Sequence, residues 1–322
     1  MPKFPCMIPS LPKDYERTKL HYHRLFECLD IDKMIFVGPA ELEKIVDADY
    51  SAGIFGENNI EFVNERDLVS FDEVKAAFQK QLTSESTVGI SSTGWYYQQF
   101  LKMQFAAICD CEYYLCWDAD TVPLRKIEMF SADGRPYFDV KTECQDRYFI
   151  TVNRLFNFGK IIAKSFVSEH MIFKKDYMME MISDIEKTAF EGSRYYEKIL
   201  SAAGNDNISL GFSEFETYGS WVGMHYPSAY KLRDWKSFRN TNFFVDISDI
   251  TAEDIAWLSK DFDAASFEKY QETNDVLSQL FHDERYRAKL SPQQFYTAVL
   301  ESGAMGDYED GVIKSGDFNS PV

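Results

Sequence analysis

Apolar positions along the first third of the chain fall into short blocks that alternate between two spacings. FPCMIPS (Phe4–Ser10) and DKMIFVGP (Asp32–Pro39) are nearly continuous apolar runs of strand length, the first closing at Pro9. IEFVN (Ile60–Asn64) is a third, weaker strand. Between them, Asp14–Leu29 sets Tyr22, Leu25, Phe26 and Leu29 at helical spacing, and Glu41–Val46 is a short helix. FDEVKAAFQKQL places Phe71, Val74 and Phe78 on one face. SSTGW (Ser91–Trp95) supplies capping residues before YYQQFLKMQFAAIC, whose Tyr96, Phe100, Met103 and Ala107 share one stripe. That helix feeds directly into YYLCW, an apolar strand ending on WDADTVP. Such alternation predicts an α/β fold, a mostly parallel sheet flanked by helices with ligands at the carboxyl ends of its strands.

The second half is less regular. SADGRPYFDV (Ser131–Val140) contains an Asp-Gly turn and opens an excursion over the rim of the sheet. Ser183–Leu200 reads as one helix, and SEFETYGSWVGMHYP (Ser213–Pro227) mixes strand-forming aromatics with glycines. KLRDWKSFR spaces Arg233, Lys236 and Arg239 by three, which would align them on a helix. Farther on, TAED (Thr251–Asp254) resembles a capping box and SPQQFYTAVL opens with Ser-Pro, two helix starts. The stretch GAMGDYEDGVIKSGDFNSPV is polar and glycine-rich, as in a mobile tail. No internal repeat interrupts this order. The expected division is a domain over 1–240, in two halves at 1–125 and 126–240, then an acidic helical extension over 241–322.

Composition narrows the chemistry. At 322 residues with 45% apolar content the chain builds a filled core. Its net charge is −18, and from Thr241 onward 16 acidic residues face 6 basic ones. That balance argues against nucleic acid and against anchoring by anionic lipid headgroups. No apolar run reaches the ~18 residues of a membrane span or the form of a signal peptide, so a cytoplasmic protein is expected. The six cysteines, Cys6, Cys28, Cys109, Cys111, Cys116 and Cys144, read as reduced thiols. Cys109 and Cys111 have no companion pair at zinc spacing.

The motif Asp118-Ala119-Asp120-Thr121 admits two chemistries. A divalent metal held by the aspartates would grip a diphosphate. Alternatively, Asp118 is the nucleophile of a D-x-D-x-T phosphatase of the haloacid-dehalogenase type. The second chemistry needs its motif after the first strand and a later acidic motif, for which Gly306-Asp307-Tyr308-Glu309-Asp310 is a loose match without a strand before it. A non-catalytic carbohydrate- or partner-binding protein is a further alternative.

Asp118-Ala119-Asp120, with FPCMIPS, TGWYYQQFLKMQ, WDADTVPL, GRPYFD–TE, SEHMIF and GFSEFETYG in that order, resembles the GT-A fold of nucleotide-sugar-dependent glycosyltransferases, and specifically a poorly characterised bacterial glycosyltransferase-like family. The likeness spans about 4–240. It implies transfer from a nucleoside-diphosphate sugar, a UDP-sugar by default, to a hydroxyl of a glycan or lipid-linked glycan, with Mn²⁺ or Mg²⁺ and peripheral membrane contact as an option. It implies Asp120 as a metal ligand, Asp118 on the ribose or on the metal through water, and Pro9 and Ser10 beside the nucleotide. Trp95 is a nucleotide-pocket wall or a core residue; Gln98, Gln99 and Lys102 precede the motif, with Lys102 a phosphate contact or a solvated side chain. Arg233 and Arg239 are a candidate diphosphate clamp or an exposed basic face. His225 is a candidate metal ligand or structural, and Glu169 and His170 candidate contacts to sugar hydroxyls. Glu214 and Glu216 would share a side on a strand and diverge by about 200° on a helix, and either is a candidate general base; a structural ion pair is the alternative. His21 and His23 carry no expected chemistry.

Overall fold

Continuous apolar runs become the inner strands of one sheet. The computed structural model describes residues 3–83, 89–142 and 145–305 and the two-residue strands Tyr308–Glu309 and Val312–Ile313. Cys144 and most of the glycine-rich tail lie outside the described residues. Strands β1 (Phe4–Pro9), β2 (Ile31–Gly38), β3 (Ile60–Asn64) and β4 (Tyr113–Trp117) run parallel. Two further strands, β5 (Thr121–Pro123) and β6 (Tyr137–Val140), lie outside this sheet, and β7 (His170–Lys174) closes it antiparallel to β4. The order is β3-β2-β1-β4-β7. The chain moves outward from β1 to β3 and then returns to the other side of β1 at β4. That reversal opens a crevice at the carboxyl ends of β1 and β4, where open α/β sheets bind ligands.

The long helix expected at Asp14–Leu29 is broken into α1 (Pro12–Thr18), a 3₁₀ turn at Lys19–His21 and α2 (His23–Cys28). The break lets Tyr15 and Tyr22 both meet Phe36 edge-on, at centroid distances of 5.1 and 5.0 Å. Helices α3 (Ala40–Ser51), α4 (Glu65–Leu68), α5 (Phe71–Gln81) and α6 (Thr93–Gln104) complete the first half. A short 3₁₀ turn joins α6 to β4, so α6 begins above the rim on which β4 ends.

Helices α7 (Asp146–Phe156), α8 (Lys175–Glu186), α9 (Tyr195–Asn207) and α10 (Glu214–His225) follow. Two corrections fall here. The helix expected over Ser183–Leu200 is two helices, with Gly192 at φ +112° in the connection between them. The aromatic segment Ser213–Pro227 is the helix α10, with the Ser213 hydroxyl accepting from the Glu216 amide as its cap. Residues Glu214 to Val222 of this helix are all buried, so no polar stripe advertised it. A Cβ on Gly219 would overlap the Phe166 ring and one on Gly223 the Ile161 side chain; glycine lets the 161–166 loop lie directly on the helix.

KLRDWKSFR is a third correction. It forms β8 (Lys231–Asp234), paired with β6, and β9 (Ser237–Phe238), so Arg233, Lys236 and Arg239 do not line one helical face. The strand β10 (Ala264–Ser266) lies between β5 and β9, with Ser266 opposite Thr121 and their hydroxyls 2.9 Å apart. Helices α11 (Thr241–Phe244), α12 (Ala252–Leu258), α13 (Asp275–Phe281), α14 (Glu284–Arg287) and α15 (Pro292–Glu301) surround a second core around Phe244, Trp257, Phe281 and Phe295. The caps expected at Thr251 and Ser291 are both in place. No helix among the described residues is long and apolar enough to cross a membrane.

Candidate active site at the sheet rim

The buried strand β4 delivers Asp118, Ala119 and Asp120 into a half-exposed turn. Three bonds fix its shape. The Thr121 amide donates to the Asp118 carbonyl (3.1 Å), the Trp117 indole N–H to the Thr121 carbonyl (2.7 Å), and the Asp118 amide to the Glu169 carbonyl (2.9 Å). Glu169 holds φ +57°, a left-handed conformation rare outside glycine and asparagine. Such a conformation costs on the order of 1–3 kcal/mol and persists only where its surroundings impose it.

Lys102 is the cation that meets the first aspartate. Its ammonium, buried near the end of α6, donates to Asp118 Oδ1 (2.7 Å) and Glu214 Oε1 (2.8 Å). Burial by itself would lower its pKa, but the two carboxylates prevail and hold it above the usual lysine value. Glu214, at the first position of α10, is shifted upward by burial despite Lys102. Gln99 joins the two helices, its side-chain oxygen accepting from the Glu214 amide at 3.0 Å. Its neighbour Gln98 is exposed.

Asp120 faces a different partner. Burial first, then repulsion from Glu268 and Asp118, push its carboxyl well above the ordinary range, with Arg17 and Arg239 opposing. Glu268, just past β10, is raised by burial first and then by Glu169 and Asp118, against the opposing Arg239, from whose Nε it accepts at 3.1 Å. Two hard carboxylates that repel each other at a partly open rim form a donor pair suited to Mg²⁺ or Mn²⁺. Among the described residues, no group of three or more His, Cys, Asp or Glu side chains is arranged around one point as a metal cage.

Glu169 and His170 sit at the start of β7, beside the motif, but both are occupied. Glu169 accepts from Lys141, from the Ser237 hydroxyl (3.0 Å) and from the Trp235 indole (2.8 Å). Burial would raise its carboxyl; Lys141 and Arg239 outweigh that and hold it low. His170 is buried between Trp117 and Trp235, with Nδ1 2.8 Å from the Ser168 carbonyl and Nε2 2.8 Å from Asp139 Oδ2. Asp139 in turn accepts both arms of Arg233, at 2.6 Å each. These bonds spend Arg233 on a buried carboxylate, so the structure does not offer it as a diphosphate clamp, and His170 braces the floor instead of facing a sugar. Arg239 does reach the rim.

The remaining expected residues divide. Pro9 and Ser10 end β1 at the rim, and a Cβ on neighbouring Gly38 would strike the Ser10 carbonyl oxygen. Trp95 is half-exposed two turns before Lys102. His225 is not brought to Asp120. It is the last residue of α10, eleven positions from Glu214 and thus ~16 Å along the axis, exposed, with Nδ1 2.8 Å from the Trp221 carbonyl. Glu216 is likewise excluded from the rim. Because α10 is a helix it points away from Glu214, into a bond from Ser165 and another from the Phe166 amide (3.1 Å). Sequence reasoning missed Glu268, Arg17 and Asp139. For Glu268 the only available signal was an acidic residue near a three-residue apolar run, which is no signal.

The phosphatase alternative fits less well, since its motif follows the fourth strand and a helix, α15, not a buried strand, precedes its acidic stretch Gly306–Asp310, of which Gly306, Asp307 and Asp310 lie outside the described residues. Comparison with known proteins places the chain. It belongs to a family of unknown function (DUF6492), whose model matches residues 11–281. No curated protein matches the sequence. Among solved structures it is similar to mouse xyloside xylosyltransferase 1 in its apo form, at 11% identity and TM-score 0.45, over 84% of this chain and 99% of the other. It is also similar to the galactosyltransferase LgtC in complex with donor and acceptor sugar analogs, at 11% identity and TM-score 0.41, over 89% and 100%. A third is the glycosyltransferase GlyE of Streptococcus pneumoniae, at 10% identity and TM-score 0.40, over 94% and 64%.

Proposed function

We propose that this protein is a metal-dependent GT-A glycosyltransferase, moving a sugar from a nucleoside-diphosphate donor, UDP by default, to a hydroxyl of a bacterial glycan or lipid-linked glycan. One geometry carries the reading: β4 ends in the Asp118–Asp120 turn beside β1, and β10, paired with β5, brings Glu268 to that turn, the Phe267 amide donating to the Asp120 carbonyl (2.9 Å) and Arg239 and Arg17 flanking the two carboxylates. Asp120 and Glu268 would hold Mn²⁺ or Mg²⁺, with Asp118 beside them. The ion supplies Lewis acidity that stabilises the departing diphosphate.

The chain's own groups do the rest. Lys102 fixes Asp118 Oδ1, which leaves Oδ2 to receive a ribose hydroxyl or an ion-bound water. Arg239, already paired with Glu268, would be a cation for the diphosphate. Ser10, at the end of β1, would lie beside the nucleotide, and Gly38 lets the end of β2 close directly on the Ser10 carbonyl. Of the two expected bases only Glu214 stands at the rim, with Oε1 committed to Lys102.

A thermal-shift assay tests this. UDP with Mn²⁺ should stabilise the protein, by about 2.7 kcal/mol at 100 times the Kd, and neither component alone should do so. Asp120→Asn and Glu268→Gln should each abolish the shift. An unchanged shift in both variants refutes the assignment of the ion.

A further inference from the structure

A half-exposed aromatic pair stands above the Lys102–Glu214 bridge. Trp95 lies in the first turn of α6, seven residues before Lys102 and so on the same face, ~10 Å farther out. Its ring runs nearly parallel to that of Tyr148 on α7, at 21° with centroids 6.4 Å apart, and both side chains are partly open to solvent. Trp95 is braced from behind, edge-on against buried Tyr96 at 5.0 Å, whose hydroxyl donates to the Ile208 carbonyl at 2.9 Å. Gln99 links the pair to the rim: its amide donates to the Trp95 carbonyl (3.1 Å) while its oxygen accepts from the Glu214 amide. Gln98 is exposed one turn along α6 from Trp95, while Arg147, also exposed, donates to the Ser209 hydroxyl.

We infer that Trp95 and Tyr148 form the platform on which a pyranose ring of the acceptor glycan stacks. This rests on the glycosyltransferase reading. A pyranose has an apolar C–H face and a rim of hydroxyls. A braced aromatic wall with the exposed Gln98 amide one turn away matches both features, since such sites combine apolar area with a few polar groups. The nucleotide belongs elsewhere, over the ends of β1, β2 and β3, whereas α7 packs against α9 and α10. The platform thus lies on the Glu214 side of the motif, where the attacking hydroxyl must arrive.

Saturation-transfer NMR on the full chain decides the matter, with methyl β-D-glucopyranoside, methyl β-D-galactopyranoside, methyl α-D-mannopyranoside and uridine as probes at millimolar concentration. At least one glycoside should receive saturation on its ring C–H protons, falling at least tenfold in Trp95→Leu and Tyr148→Leu and persisting in Trp95→Phe and Asp120→Asn. Thermal melting confirms that each variant is folded. Absence of transfer to all three glycosides, or transfer unchanged in both leucine variants, overturns the inference. So does a uridine signal that disappears with Trp95, which would make the indole a nucleobase wall. Glycoside transfer without any nucleotide-dependent thermal shift would leave the platform standing and remove the transferase reading instead.

Discussion

Glu216 makes a sharp quantitative test of the fold beside the site. Its side chain is fully buried on α10, Oε1 accepts from Ser165 and the Phe166 amide, and Oε2 has no hydrogen-bond partner among the described residues. Burial outweighs those two donors and the exposed ammonium of Lys160, lifting the carboxyl from 4.5 to about 7. In the unfolded chain an ordinary glutamate titrates at ~4.3. Between these values the folded state binds a proton that the unfolded state has released, so stability falls as pH rises through this window and is level above it. At ~1.4 kcal/mol per pH unit, the displacement from 4.5 to about 7 is worth about 3 kcal/mol. Glu216→Gln keeps an oxygen for both donors and cannot ionise. Urea melts of both proteins from pH 4.5 to 8 should show the variant gaining up to about 3 kcal/mol on the wild type at pH 8, with the gap closing toward pH 4.5. A gap that stays constant across that range refutes the reasoning, since the carboxyl would then ionise as easily folded as unfolded. Because Glu216 faces the 161–166 loop and not Lys102, the nucleotide-dependent thermal shift should survive the substitution.

Two further outcomes follow from the rim. Lys102→Met leaves Asp118 and Glu214 as neighbouring carboxylates without their shared cation, and removal of one partner from a buried ion pair costs roughly 3–5 kcal/mol; a melt showing less than about 1 kcal/mol of loss would mean that the bridge contributes little. Gly38→Ala drives a methyl group into the Ser10 carbonyl and the Leu42 side chain. Overpacking of this kind costs about 1–3 kcal/mol, and the UDP–Mn²⁺ thermal shift should weaken along with the melting temperature, whereas an unaltered shift would place the nucleotide away from β1 and β2.

Much of the first half of the chain was legible because its signals are local. The runs Phe4–Pro9 and Tyr113–Trp117 are strands in any context that buries both faces of a sheet, and a pair of aspartates after such a strand marks the rim. Lys102 was visible as a cation just before the motif, although its two partners were not. The second half misled for a definite reason. A helix buried all round, such as α10, has no polar stripe, and its Tyr, Phe, Trp and Val residues favour strands in isolation. Reading that segment as extended paired Glu214 with Glu216, and the helix separates them. Arg233, Lys236 and Arg239 carry helical spacing by chance, since β6 recruits the first of them into a strand. Glu268 was out of reach because it comes to the motif only through the pairing of β10 with β5, a contact between residues remote in sequence.

That remote pairing also sets a timetable. Thr121 and Ser266 touch across 145 residues, so the turn bearing both aspartates gains its outer wall only after the last fifth of the chain has begun to emerge. Closing so large a loop is entropically late and slow. During synthesis the first core can condense while its acidic rim stays bare, and competence arrives as a final, distinct event.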